Sequence, residues 1–416
     1  MEALKLTKRE KSWILYDVGN SAFTMLVSTL IPIYFNALAG NAGVSDTDYL
    51  AYWGYAGSIA TLLTAIIGPV FGTLADRKNY KKPIFLVSLI LGAVSCALLG
   101  FAWSWLAFLV IFVLAKVSYS SSLVFYDAML PETTTEKRMD TISSQGYAFG
   151  YIGSCIPFIA CLVIVLFADK LGLTMTAAMT IAFVLTALWW ICLSVPLLKT
   201  YHQDKYVEAQ GNPFRQSFQR LWSTFKNIRH EKHIFLFLLA FFFFIDGVYT
   251  IIDMAVAYGT AVGLATEGLL IALLVTQFVA FPCSIIFGRL AAKYDSGTLI
   301  KICIVAYTFI TIFAIFLSYQ WQFWVLAVCV GMFQGGVQAL SRSYFGKIIP
   351  PEKSGEYFGL FDICGKGASF MGTTLIAVVT QISGSQNLGV GALVLVFIIG
   401  YLLFTKADKA CKAAAC

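Results

Sequence analysis

The sequence predicts an all-α membrane protein with twelve transmembrane helices in two pseudo-symmetric six-helix halves. Hydrophobic residues make up 59% of its 416 residues and charged residues 12%, which is too apolar for a soluble globular protein. The hydrophobic residues are gathered in runs of about twenty or more, and a helix of that length crosses a bilayer core of ~30 Å. The twelve runs lie near residues 13–38, 50–75, 83–102, 105–129, 143–168, 175–198, 234–260, 267–291, 299–318, 322–346, 356–382 and 388–405.

The basic residues predict the orientation. All 29 Lys and Arg residues except Lys116, Lys170 and Lys366 fall at or near one face of the predicted bundle. Basic residues collect on the cytoplasmic side of membrane proteins, so we expect both termini in the cytoplasm and the protein in a bacterial inner membrane. The net charge of +7 follows from this topology, and nucleic acid is not an expected partner. The expected partners are the lipid bilayer and a small-molecule solute, with the protein a monomer.

Short motifs recur at similar separations along the chain. The repeats are Phe-Gly-Thr-Leu-Ala at 71–75 with Phe-Gly-Arg-Leu-Ala at 287–291, Pro-Glu at 131–132 with Pro-Glu at 351–352, and Asp17 with Asp246. Together they predict two halves in parallel arrangement. We therefore expect an N-terminal half at 1–198, a linker at 199–233 and a C-terminal half with a short tail at 234–416.

The predicted linker contains an amphipathic helix. Asn212 and Pro213 are residue types that favour a helix N-cap and a first helical position. Apolar and basic residues then recur at helical spacing. This pattern predicts a helix that lies on the inner membrane surface and tethers the two halves, with partner binding as the alternative.

A charged loop separates the second and third predicted spans. It reads Gly-Thr-Leu-Ala-Asp-Arg-Lys-Asn-Tyr-Lys-Lys at 72–82, and this spacing resembles the loop that joins helices 2 and 3 of major facilitator transporters. The resemblance implies a cytoplasmic gate formed by Gly72, Asp76 and Arg77, with Arg342 near the inner end of span ten. When the gate is closed, Asp76 would face the positive N-terminal end of the eleventh helix.

Further motifs narrow the resemblance. They lie at 13–23 (Trp-Ile-Leu-Tyr-Asp-Val-Gly-Asn-Ser-Ala-Phe), 125–132, 246–251 and 338–345. Together they resemble the "unknown major facilitator" family, which includes the fungal autophagy-related vacuolar amino-acid effluxers. This resemblance implies a secondary active transporter that moves an amino acid or other small zwitterion by alternating access, with protons as the candidate coupling ion. Two positions depart from the pattern, because Asp127 replaces an expected amide and Asp253 is an additional acid.

Ionisable groups inside a bilayer are costly, so each is a candidate for function. In the resembled fold, spans one, four, seven and ten line a central cavity. The candidates there for substrate binding or proton coupling are Asp17, Asn20, Lys116, Tyr126, Asp127, Asp246, Asp253, Gln334 and Gln338. Lys116 and Asp246 are predicted at similar depth, and their opposite charges suit the two ends of a zwitterion. A structural ion pair, or separate pairs with other partners, is the alternative.

The remaining charged candidates have more than one interpretation. Asp17 and Asp127 lie near the cytoplasmic ends of neighbouring spans, where they either share a proton or each cap a helix end or meet a loop cation. Asp362 and Lys366 are four residues apart with the acid first, which favours a structural pair within one helix. Arg342 suits anion attraction or a gate salt bridge, and we expect the gate.

Other functions make different demands on the sequence. A lipid, sugar, peptide or drug-like solute is the alternative within the same fold. A membrane enzyme would need a nucleophile with a base, or a metal site, but the three His residues are confined to 202–233, so no catalytic residue, metal or cofactor is predicted. A membrane sensor that does not transport is the remaining alternative.

Overall fold

The computed structural model describes residues 5–208, 213–228, 231–261 and 263–414, and nearly all of them are helical. The helices are α1 (Lys8–Ser28), α2 (Leu30–Asn41), α3 (Asp46–Ala75), α4 (Lys81–Leu98), α5 (Trp105–Ala128), α6 (Leu130–Thr133), α7 (Glu136–Leu166), α8 (Met175–Thr200), α9 (Pro213–Asn227), α10 (Lys232–Ala261), α11 (Thr266–Ala291), α12 (Ser296–Ile315), α13 (Gln320–Ile348), α14 (Ser354–Ser383), α15 (Gln386–Gly391) and α16 (Leu393–Ala414). We call the end of the bundle that carries the α3–α4 turn and residues 201–208 the charged face.

The helices confirm the predicted twelve-span, all-α fold. Eleven segments of the described chain are long and apolar enough to cross a membrane, and α1 with α2 forms the first of them. The twelfth crossing is α14, a helix of 30 residues whose separately apolar part, Met371–Ser383, is shorter. The amphipathic α9 is also present in the linker, although its predicted N-cap, Asn212, lies outside the described residues.

The first span is divided into two helices. Thr29 separates α1 from α2, and its φ of −133° and ψ of −77° lie outside the helical region. Pro32 has no N–H, so it cannot donate the usual helical hydrogen bond to the carbonyl of Ser28. The Thr29 N–H donates to Leu26 O at 3.2 Å, which closes the last turn of α1.

Short polar side chains begin several of the helices. Thr7 accepts a hydrogen bond from the Glu10 N–H while the Glu10 carboxylate accepts one from the Thr7 N–H, so α1 starts with a capping box. The hydroxyl of Ser104 accepts from the third residue of α5, and Thr174 does the same for α8. These caps satisfy backbone donors that would otherwise be unpaired.

The helices pack around two main hydrophobic cores. The larger core is built from residues between Trp13 and Tyr201, and the second mainly from residues between Ile234 and Cys411. Helices of the two groups meet where α3 packs on α14 and where α7 packs on α11 and α13. The backbones of α3 and α14 approach closely, because a Cβ on Gly72 would lie 2.2 Å from the carbonyl oxygen of Gly355. Only glycine fits there.

We predict that Gly72→Ala lowers the thermal midpoint of the detergent-solubilised protein. The added methyl group has no room, and overpacking of this kind costs about 1–3 kcal/mol. The matched control is Gly57→Ala in the same helix, because a Cβ at Gly57 meets nothing within 4 Å. Equal midpoints for the two variants would contradict the close α3–α14 contact.

Candidate functional site

Arg342 is a buried cation of α13 whose partners all lie in the first six spans. Its Nη1 is 3.1 Å from Asp127 Oδ1, and its Nη2 is 3.3 Å from Asp17 Oδ2. The Nε donates to Ser143 Oγ at 2.9 Å, and Nη2 donates to the Ser143 carbonyl at 3.0 Å. The guanidinium side chain is only 3% exposed. Charged hydrogen bonds therefore join the two groups of helices in a place with little access to water.

Aromatic rings complete the surroundings of this cation. The guanidinium carbon lies 4.2 Å from the ring centroid of Tyr147, 4.6 Å from that of Trp13 and 5.5 Å from that of Tyr126. Trp13 and Tyr126 stack on each other with centroids 4.3 Å apart. Aromatic faces attract a cation, and they do so more strongly where water is excluded. Trp13 and Tyr147 were not among the predicted site residues.

Asp17 of α1 and Asp127 of α5 thus both bind the Arg342 guanidinium of α13, so the three helices share one ion-pair site. One positive charge faces two carboxylates, so the cluster carries an excess negative charge when both are ionised. Of the two, Asp127 is the more accessible, with 19% of its side chain exposed against 8% for Asp17. Their part in proton coupling stays a prediction.

A second buried acid, Asp140 in α7, also joins the two groups of helices. It accepts hydrogen bonds from Ser343 Oγ at 2.6 Å and Ser296 Oγ at 2.7 Å, and it forms an ion pair with Lys347. The sequence analysis missed this residue because it lies just outside the predicted fifth span, where an acid is ordinary.

Asp76 joins α3 to the N-terminus of α14. The N–H of Gly355 donates to Asp76 Oδ1 at 2.7 Å, and the N–H of Glu356 donates to Oδ2 at 2.9 Å. A carboxylate at a helix N-terminus is also favoured by the helix dipole. This is the contact that the sequence analysis expected of a closed gate. Burial raises the pKa of Asp76 to about 7, although Lys81 and the two N–H donors act to lower it.

Lys81 forms a further buried link beside Asp76. Its Nζ lies 2.6 Å from Glu132 Oε1 and 2.9 Å from Ser354 Oγ, and its side chain is fully buried. Tyr201 donates to the same carboxylate oxygen at 3.1 Å, so the start of the linker is attached here. Glu132 belongs to the repeated Pro-Glu motif, which was the available signal for this site.

The linker helix reaches the same region. Arg220 of α9 lies 2.9 Å from Glu356 and 3.9 Å from Asp76. Arg77, a predicted gate residue, forms an isolated β-bridge with Val207 of the linker, and its guanidinium lies 5.9 Å from the Tyr80 ring centroid. The α3–α4 turn, the linker and the start of α14 therefore form one connected charged face.

Lys116 and Asp246, which we expected to hold the two ends of a zwitterion, lie in different surroundings, and their joint role stays a prediction. Asp246 is fully buried in α10, where it accepts the N–H of Gly372 from α14 at 2.8 Å. Lys116 in α5 is half-buried, and Asp253, two turns further along α10 than Asp246, is exposed. Asp246 is covered because Gly372 of α14 packs directly against it.

The uncharged candidates occupy several positions along the interface. Asn20 is buried in α1, where its Nδ2 donates to Tyr16 O at 3.0 Å. Gln338 accepts a hydrogen bond from Tyr151 of α7 at 3.2 Å, which is another link between the two groups of helices. Gln334 lies one turn away and lines a largely apolar cavity of about 100 Å³ formed by α10–α16.

The predicted Asp362–Lys366 pair falls partly outside the described structure, because the Lys366 side chain is not described. Asp362 Oδ2 faces α3, where a Cβ on Gly68 would lie 3.9 Å from it. Across the described residues, no group of three or more His, Cys, Asp or Glu is placed to hold a metal ion.

Comparison with known proteins places this arrangement in a family. Residues 46–415 match the family described as "Vacuole effluxer Atg22 like". The uncharacterized MFS-type transporter YxiO of Bacillus subtilis is 42% identical over 404 residues, which cover 96% of this chain and 94% of that protein. Autophagy-related protein 22-1 of Aspergillus fumigatus is 29% identical over 269 residues, which cover 58% of this chain and 43% of the fungal protein.

Solved structures agree on the fold. The human organic anion transporter MFSD10 superposes with a TM-score of 0.72 at 14% identity, over 96% of this chain and 100% of that chain. A bacterial homologue of ferroportin in an outward-facing state gives a TM-score of 0.73 at 11% identity, over 97% and 98% of the two chains. At these identities the likeness concerns the fold alone. The chain belongs to the Atg22-like family of major facilitator transporters.

Proposed function

We propose that this transporter moves a small zwitterion, most simply an amino acid, by alternating access and in exchange with or together with protons. The observation that carries the proposal is that two opposite charges, Lys116 and Asp253, are both accessible within the membrane-spanning helices. The two residues lie on helices from different halves, α5 and α10. Counted from the helix ends opposite the charged face, they lie at depths of roughly 17 Å and 12 Å.

Such a pair matches the chemistry of an amino acid. A zwitterion carries a carboxylate that an ammonium group attracts and an amine that a carboxylate attracts. Neither side chain is fully buried, so both are available to a solute. Because one charge comes from each half, a bound zwitterion would draw the halves together around it.

We further propose that the charged face is cytoplasmic and closed in this structure. The basic residues of the α3–α4 turn and of the linker support this orientation. The contacts of Arg342, Asp140 and Asp76 between the halves support the closed state. Opening toward the cytoplasm would then require these buried charges to separate and become hydrated.

The proposal is tested by uptake of a labelled amino-acid panel into proteoliposomes, with and without an imposed pH gradient. We expect one class of amino acids to accumulate and an uncoupler to abolish the accumulation. Lys116→Gln should raise the KM about tenfold or more, as expected for the loss of a charged contact. The control is Lys170→Gln, because that lysine lies in an exposed loop. Absence of flux for every amino acid, with sugars or organic anions transported instead, would refute the proposed substrate.

Arg342→Gln is predicted to open the charged face. Without the guanidinium, Asp17 and Asp127 are left buried without a cation, which destabilises the closed state by roughly 3–5 kcal/mol. Spin labels on the α3–α4 turn and on the α13–α14 loop should report a longer distance in this variant.

The control for this experiment is Lys301→Gln. Lys301 lies 2.5 Å from Asp408, and that ion pair lies entirely within the second group of helices. Lys301→Gln therefore removes a positive charge and leaves the contacts between the halves in place. The same distance distribution in both variants would refute the role of Arg342 in the gate.

The closed state is predicted to lose stability as the pH rises through about 7, because Asp76 must then ionise in a buried position. Asp76 in the closed state holds its proton to higher pH than a hydrated aspartate, whose pKa is close to 3.8. The proton bound to Asp76 therefore stabilises the closed state fully below pH 3.8. This stabilisation is lost as the pH rises through the closed-state pKa of about 7. The spin-label distance should lengthen over this range, and Asp76→Asn should remove that part of the pH dependence. A shortening with rising pH would contradict the prediction.

A further inference from the structure

The middle of α10 contains a carboxylate without a counter-charge in the described structure. Asp246 is fully buried, roughly 20 Å along α10 from Lys232. Its Oδ1 accepts the Gly372 N–H at 2.8 Å, whereas its Oδ2 has no hydrogen-bond partner. The hydroxyl of Thr250, one turn further along, is also buried without a partner. Both unpaired oxygens face Gly372, since a Cβ there would lie 2.2 Å from Thr250 Oγ1 and 2.8 Å from Asp246 Oδ2.

The packed helices offer no cation to Asp246 in the part that is described. The titratable side chains toward the middle of these helices are Cys283 in α11, Cys329 in α13, Asp362 and Cys364 in α14, and Tyr401 in α16, and no hydrogen bond or ion pair joins any of them to Asp246. The described groups that face it are the Gly372 backbone and Thr250. An ionised carboxylate in such a place is costly.

A proton bound to Asp246 gives both Asp246 Oδ2 and Thr250 Oγ1 a hydrogen-bond partner. Protonation of Oδ2 removes the charge and creates an O–H that can donate to Thr250 Oγ1. A metal cation would need a fuller set of oxygen ligands than these two. We propose that Asp246, with Thr250 beside it, is the site that carries the coupling proton, and this inference rests on the proposed function.

The site borders an internal cavity. Thr250 also lines the cavity of about 100 Å³ between the helices of the second half, together with Gln277 and Gln334. Water held by these three polar side chains would carry the proton to and from Oδ2. On release the proton returns to water and the carboxylate is left ionised.

The same geometry connects the proton to the gate. Gly372, whose N–H binds Asp246, belongs to α14, and the first residues of α14 bind Asp76. Loss of the proton places a negative charge against the Gly372 N–H and changes how α14 is held on α10. Because α14 is one helix, a shift at Gly372 also moves its N-terminus, where Asp76 binds at the charged face.

The first test separates exchange from accumulation. In proteoliposomes, Asp246→Asn should still exchange internal for external labelled solute at equal pH, because the amide keeps the shape and the neutral state. It should lose all accumulation driven by a pH gradient. The control Asp169→Asn removes an exposed loop carboxylate and should keep both activities. Gradient-driven accumulation by Asp246→Asn at the wild-type level would overturn the proposal.

A second test needs no solute, so it remains decisive if no amino acid is transported. Infrared difference spectra of the reconstituted protein between acid and alkaline pH should contain a protonated-carboxyl band that disappears in Asp246→Asn. Thr250→Val should keep the band, because the carboxyl group itself is unchanged. An unchanged band in Asp246→Asn would overturn the assignment. So would accumulation driven by a sodium gradient at constant pH that Asp246→Asn abolishes, since the site would then bind sodium.

Discussion

The contact between the two halves at the charged face depends on one guanidinium that is hidden from water and shared by two carboxylates from the opposite half. Arg342, Asp17 and Asp127 satisfy one another only while the halves touch at the charged face. A bilayer protein cannot leave such groups unpaired in a dry interior, so they must be either paired or fully hydrated. This requirement favours two distinct states and disfavours intermediates, which is the behaviour that alternating access needs.

Two kinds of contact surround this central pair. Asp140 meets side chains, namely Ser343, Ser296 and Lys347, where α7 packs on α13. Asp76 meets backbone N–H groups at the start of α14, and Arg220 from the linker helix reaches the same place. The start of α14 is therefore where the gate, the linker and, through Gly372, the buried Asp246 are connected. The two interfaces close the same face by different chemistry.

Much of the fold and part of the site could be predicted from the sequence. Twelve spans follow from hydrophobic runs, because the bilayer fixes helix length, and Asp76 could be assigned because a local motif fixes its place at a helix end. Asp140 and Lys81 were not singled out, since the partners that join them across the two groups of helices, Lys347 and Ser354, are about 200 or more residues away. Lys116 and Asp246 were expected at similar depth around a solute, but the neighbours of each side chain depend on packing between helices, which depth and charge do not determine.

The Asp76 contact has a consequence for how sequence change is tolerated at this interface. Its two donors are main-chain N–H groups, which every residue except proline supplies. Exchanging the side chain of Glu356 for any residue except proline would therefore leave its hydrogen bond to Asp76 in place, whereas replacing Asp76 by a residue without a carboxylate removes at least one acceptor. Gly355 is constrained for a separate reason, because a Cβ there would lie 2.4 Å from the Gly72 carbonyl oxygen. For this hydrogen-bonded contact alone, sensitivity should thus be unequal on its two sides, high at the acceptor and low at Glu356, whose side chain serves instead the ion pair with Arg220.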